Sequence, residues 1–110
     1  MAEPHNSKSV ISLFRFRTRD LTPAQRDEYS STLKHMRTLA SAMPGFISFR
    51  RYTSDDDETL AVAEFASPEA LAAWRDHPDH RTAQQRGRNK FYSEYEIINC
   101  TVMHRYGHKH

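Results

Sequence analysis

Trp74, His77 and His80 fall within one seven-residue stretch, Trp74-Arg75-Asp76-His77-Pro78-Asp79-His80. These residue types suit proton chemistry on a flat ligand. An imidazole exchanges a proton near neutral pH, so it can deprotonate an acidic phenol or an activated carbon. An indole can stack on an aromatic ring and donate its N–H. Pro78 suits the first position of a helix, which puts His77 near the N-cap and His80 about one turn in. The positive end of that helix would favour the neutral, basic imidazole. Plainer roles compete: Trp74 as core filler between helix and sheet, His77 as a cap, His80 as a surface residue. A metal pair is disfavoured, because histidines at i and i+3 need a third ligand and none is evident.

A second set could hold such a ligand in place. Tyr29, Tyr52, Tyr92 and Tyr95 offer hydroxyl donors, and Arg15, Arg51 and Asn99 lie on expected strands. Of these, Tyr29, Arg51, Tyr92 and Asn99 are the candidate substrate contacts. Strand register decides which side chains face a common interior, since a slip of one residue reverses the faces. Each residue taken singly also reads as a surface or interface position. Cys100, the lone cysteine, reads as a small buried hydrophobe. The tail histidines, His104, His108 and His110, read as a mobile polar terminus. Asp55-Asp56-Asp57-Glu58 lacks the glycine and distal glutamate of a calcium loop and reads as an acidic hairpin.

The elements that must position these residues follow from pattern. Val10–Arg17 is β-branched and aromatic, hence a strand. Thr22-Pro23-Ala24-Gln25 carries a cap, a first-position proline and a capping box. The helix it opens runs to about Ala42, with Tyr29, Leu33, Met36, Ala40 and Met43 on one stripe. Pro44-Gly45 ends it. Strands follow over Phe46–Thr53 and Thr59–Ala66. Ser67-Pro68-Glu69 starts a second helix, interrupted at His77-Pro78 and continuing to about Arg88. A long strand over Phe91–Arg105 closes the chain.

The order β-α-β-β-α-β predicts a ferredoxin-like α+β fold, a four-stranded antiparallel sheet with the helices on one face. The open face should then be polar at every second position. Instead Ile11 and Leu13 oppose Val10, Phe14 and Phe16, Phe46 opposes Ile47 and Phe49, Leu60 and Val62 oppose Phe65, and Ile97 opposes Ile98. Both faces are apolar, so a second copy of the chain, sheet against sheet, is expected to cover the open one. The expected organisation is a disordered lead-in over 1–9, one domain over 10–105 and a flexible tail over 106–110.

Composition limits the remaining classes. The chain of 110 residues is 37% hydrophobic, below the usual apolar fraction, yet 11% aromatic. No apolar run spans a bilayer and residues 1–9 hold no secretory signal, so no membrane role and a cytoplasmic location are expected. A net charge of +2 is too small and too dispersed to argue for nucleic acid. The stretch Thr59–Phe65 also lacks the basic-glycine-aromatic pattern of RNA-recognition modules.

The junction Met43-Pro44-Gly45-Phe46 and the stretch Phe65-Ala66-Ser67-Pro68-Glu69-Ala70-Leu71-Ala72-Ala73-Trp74, followed by His77-Pro78-Asp79-His80, resemble the antibiotic biosynthesis monooxygenase family. The resemblance covers roughly residues 10–104. It implies a dimeric α+β barrel with a pocket in each subunit between sheet and helices. It also implies a monooxygenase that uses O₂ and no cofactor on a phenolic or anthrone-like aromatic. In the family a Trp at the position of Trp74 borders the pocket, and a His on this helix often faces it. Haem degraders of the family carry an Asn on the first strand, and Val10–Arg17 has none. Two alternatives remain: a barrel that binds a small molecule without turnover, and a haem-binding protein.

Overall fold

The computed structural model describes residues 9–108. The elements, in chain order, are β1 (Val10–Thr18), α1 (Pro23–Ser41), β2 (Phe46–Thr53), β3 (Thr59–Phe65), α2 (Pro68–Arg75), α3 (Pro78–Arg86) and β4 (Tyr92–Thr101). A single π-helical turn, Gly87–Phe91, joins α3 to β4. Of the expected lead-in only Ser9 is described; the rest, like Lys109 and His110 of the tail, lies outside the described residues.

Local chemistry sets the helix starts. The Thr22 hydroxyl accepts from the Gln25 N–H, and the Gln25 side chain accepts from the Thr22 N–H, so the capping box satisfies donors that no helical carbonyl can reach. Ser67 caps α2 by accepting from the Ala70 N–H at 3.1 Å. At the Pro44-Gly45 break, Gly45 adopts φ +85°, and a Cβ there would stand 2.6 Å from the Ala70 Cβ. Only glycine lets α1 turn so tightly into β2 beneath α2.

The sheet is antiparallel with strand order β2-β3-β1-β4, the ferredoxin-like arrangement. Its two faces differ in use. Val10, Phe65, Phe46 and Ala63 pack against Met36 and Ala40 of α1 and Leu71 and Trp74 of α2, which identifies the helix-covered side. Register then gives the rungs on that side. Asn99, Ser12, Ala63 and Phe49 form one, and Ile97, Phe14, Ala61 and Arg51 the next. On the opposite side Ile98, Leu13 and Val62 form an apolar stripe across three strands. No helix covers it, and Ile98 is 38% exposed.

The uncovered side is flanked by ion pairs. Arg15 bridges Glu58 and Glu96, each at 3.3 Å, and Arg17 bridges Asp56 at 2.7 Å and Glu94 at 3.1 Å. The Ser54 hydroxyl and then Arg17 hold the Asp56 carboxyl down to about 2. At the other end Glu64 accepts from Ser9 Oγ at 2.7 Å and from Arg105 of the tail.

Three expectations need correction. Phe46 and Phe49 were expected on opposite faces, but a register shift between Phe46 and Ser48 brings both to the helix side. Arg37 of α1 lies 4.8 Å over the Phe49 ring there. Phe91 was assigned to the last strand and instead stands in the π turn, 1% exposed. That strand ends at Thr101 rather than Arg105, although the Val102 N–H still donates to the Ser9 carbonyl.

Candidate functional site

Two groups of chemically able side chains stand on the helix-covered side. The first lies where α2 meets α3. His77 is the N-cap of α3, and its Nδ1 accepts from the Asp79 N–H at 3.1 Å. That bond consumes the lone pair on Nδ1. His80, one turn in, stacks on the Trp74 indole with centroids 4.4 Å apart and planes 25° from parallel. Its Nδ1 sits 3.4 Å from the Arg75 carbonyl oxygen. A carbonyl only accepts, so this contact assigns the proton to Nδ1 and leaves the lone pair on Nε2. Burial pushes the imidazole below the ordinary histidine range, with the backbone carbonyls of Arg75 and Trp74 opposing. His80 is therefore a neutral base at neutral pH. Trp74 itself is 8% exposed and belongs to the core with Val10, Phe65 and Leu71, so it is a wall of the site with one face already covered.

The second group is aromatic. Tyr92 meets Phe14 at 5.2 Å and Phe16 at 4.9 Å, and Tyr29 meets Phe91 at 5.1 Å and Tyr92 at 6.0 Å. The π turn makes this possible. A Cβ on Gly87 would stand 2.3 Å from Tyr92 Cε2, so the Tyr92 ring lies flush on the glycine backbone. The Tyr29 hydroxyl oxygen is buried, and the hydroxyl it faces is that of Tyr92. Burial raises both phenols above the ordinary tyrosine range; the hydrogen bond between them lowers Tyr29 and raises Tyr92, and the charge of Arg51 opposes the rise in each. Arg51 shares its rung with Ala61, whose small side chain leaves room toward Phe14. No carboxylate among the described residues pairs with Arg51.

The candidates thus separate. Trp74, His77 and His80 come together, and so do Tyr29, Tyr92 and Arg51. Tyr29 precedes Met36 on the inward stripe of α1 by seven residues, about 10 Å along the axis. Met36 packs on the core that contains Trp74, so the two groups stand about two helical turns apart along α1. Asn99 belongs to neither: it lines an open groove between α2 and β4 with Val10, Leu71 and Thr101. Arg15 and Tyr52 face the uncovered side, and Tyr95, 42% exposed, stands at the rim beside Phe14. Cys100 also faces the uncovered side and is half-buried. In the tail, His104 lies 5.2 Å from Tyr106. Among the described residues no group of three His, Cys, Asp or Glu could hold a metal ion.

Gly87 and Phe91 were not singled out from the sequence. The usable signal was Gly87 standing just ahead of Phe91-Tyr92, a break in helix propensity before an aromatic pair.

The sequence model of the antibiotic biosynthesis monooxygenase family matches residues 12–86. A curated relative, the uncharacterized protein YqjZ of Bacillus subtilis, is 30% identical over 69 residues; these span 63% of this chain and 60% of the relative's length. Two solved structures are similar in fold. The cofactor-independent oxygenase SnoaB of Streptomyces nogalater, as its mutant N63A, aligns with a TM-score of 0.72 at 18% identity, covering 89% of this chain and 96% of that one. A dimeric ferredoxin-like protein of unknown function from Thermobifida fusca aligns with a TM-score of 0.68 at 20% identity, covering 86% and 91%.

Proposed function

The chain belongs to the antibiotic biosynthesis monooxygenase family, and on that premise we propose that it is a cofactor-independent monooxygenase acting on a phenolic or anthrone-like aromatic with O₂. The observation that carries this reading is His80, a half-buried imidazole stacked on Trp74 and pushed below the ordinary histidine range by burial.

In this reading Nε2 takes a proton from the activated carbon of the substrate, whose ring oxygens delocalise the electron pair as an enolate. The carbanion gives its electrons to O₂ and forms a C–O bond, and the resulting peroxide takes up a proton. Loss of the second hydrogen from the same carbon breaks the O–O bond, so the products are a carbonyl and one water. His77 positions rather than reacts: its Nδ1 is spent on the α3 cap. Trp74 walls the site and helps to exclude bulk water from the reactive anion. The working unit is proposed to be a homodimer in the cytoplasm, the stripe of Ile98, Leu13 and Val62 being covered by a second copy. The similarity to a dimeric ferredoxin-like protein supports that assembly.

Oxygen uptake with 1,8-dihydroxyanthrone tests the reading, with quinone followed by absorbance. His80→Gln is expected to lower the rate by about 10²- to 10⁴-fold, the usual worth of a positioned base. An unchanged rate in His80→Gln would remove His80 from the mechanism. A second reading, a barrel that binds an aromatic without turnover, is favoured by the burial of Trp74 in the core. Tight binding with no oxygen consumption would establish it.

A further inference from the structure

Helix α3 is held to the rest of the molecule by few side chains. None of its residues is buried. Its far end runs into the π turn, where Phe91 is buried. At its near end, among the described residues, the hydrogen bonds, ion pairs and ring stacks made by side chains all use an imidazole. His80 stacks on Trp74 at 4.4 Å, His35 of α1 reaches Asp79 at 3.4 Å, and His77 Nδ1 accepts from the Asp79 N–H at 3.1 Å. Three of the chain's seven histidines thus meet at one joint.

The cap is the unusual member. Thr22 and Ser67 cap α1 and α2 with hydroxyls, which keep their lone pairs at any ordinary pH. An imidazole accepts through Nδ1 only while that nitrogen is unprotonated. Pro78 has no N–H, so the Asp79 N–H is the first donor of the helix and depends on the cap. A proton on His77 Nδ1 turns the acceptor into a second donor and sets a positive charge on the positive end of the helix. The charged groups around the ring supply no replacement for the cap. Asp76 is paired with Arg75 of α2 at 3.8 Å, and Asp79 with His35 of α1 at 3.4 Å; both pairs are solvent-exposed and weak. Within α3, His80 and Arg81 add like charge when protonated, and Arg88 and Lys90 of the π turn stand at the opposite end.

We propose that the His77 cap is a proton-operated catch on the joint between α2 and α3. The unprotonated ring closes the first turn of α3 over Trp74, and a proton on Nδ1 releases that turn and opens the corner of Trp74 and His80 to solvent. His80 acts in the same direction, because its burial disfavours its own proton and release of the turn removes that burial. Each proton therefore favours the open form. The catch governs access to the corner and is independent of any reaction that takes place there.

Trp74 is the one tryptophan of the chain, so acrylamide quenching of its fluorescence reads this corner alone. From pH 8 to 5 the quenching constant is expected to rise about twofold, and amide exchange in α3 to quicken about fivefold beyond the intrinsic pH effect, as loss of one cap would give. Peptides of α1 and the sheet are expected to keep their protection. His77→Asn retains an acceptor that does not titrate, and it is expected to suppress both changes. His35→Ala removes the ion pair to Asp79 but leaves the cap, and is expected to retain them. A corner shielded equally at both pH values, or an acid response undiminished in His77→Asn, overturns the catch. So does an acid response in which α1 and the sheet lose protection together with α3.

Discussion

At the residue scale, His80 and His77 show how position decides chemistry for one side-chain type. Both imidazoles lie against Trp74, at 4.4 and 5.9 Å, yet only His80 keeps a lone pair clear of the backbone. Its environment makes a pH prediction with a definite sign. Burial lowers the folded-state pKa of His80 below 6.5, so the unfolded chain binds its proton more readily in acid. Stability from this group is therefore full above 6.5 and declines as the pH falls toward the lowered value. Thermal unfolding followed from pH 8 to 5 should show an acid-side loss that His80→Gln reduces. The acid limb of kcat/KM with dihydroxyanthrone should likewise lie below 6.5. A limb at or above 6.5 would identify a different titrating group. The composition of this corner was readable from the sequence, as was the His77 cap, because a proline at the first helical position marks its neighbours. The division of labour between the two histidines was not readable, because it depends on which carbonyl each ring meets.

At the scale of elements, the π turn Gly87–Phe91 is the device that places Tyr92. It buries Phe91, and it brings Tyr92 back onto its own backbone at Gly87. A methyl group at position 87 has no room, since the opposing atom is a ring carbon 2.3 Å away and the ring is itself hemmed in by Phe14 and Phe16. Gly87→Ala is expected to cost about 1–3 kcal/mol, the usual penalty for overpacking, and to alter the near-ultraviolet circular dichroism of the tyrosines. An unchanged melting temperature and spectrum would show that the turn relaxes freely. Helix starts at Thr22, Ser67 and His77 were legible because caps and prolines act locally. The π turn was not, since nothing in the run Gly87-Arg88-Asn89-Lys90-Phe91 distinguishes an i→i+5 bond from the end of an ordinary helix. The shift in β2 was hidden for a similar reason: alternation counts residues, and a bulge between Phe46 and Ser48 changes the count.

At the scale of the whole molecule, the sheet has two apolar faces and one layer of helices. The fold class followed from element order alone, and the doubly apolar strands followed from their alternation. What the sequence left open was the pairing that turns single strands into rungs. That pairing now singles out Leu13 as the centre of the uncovered stripe, between Val62 and Ile98. If a second copy covers this stripe, Leu13→Glu should convert the assembly to monomers by sedimentation velocity at micromolar concentration, since it would bury an unpaired charge. A wild-type chain that sediments as a monomer would end the homodimer proposal. The same rungs carry a further meaning for how such a chain can diverge. Leu13 and Phe14 are adjacent in sequence, as are Ile97 and Ile98, yet each pair is split between the two faces. Substitutions at Phe14, Phe49, Ile97 and Asn99 therefore alter the helix-covered face while leaving the uncovered face untouched, codon by alternate codon. One ancestral sheet can thus diverge on one face while the other keeps its sequence.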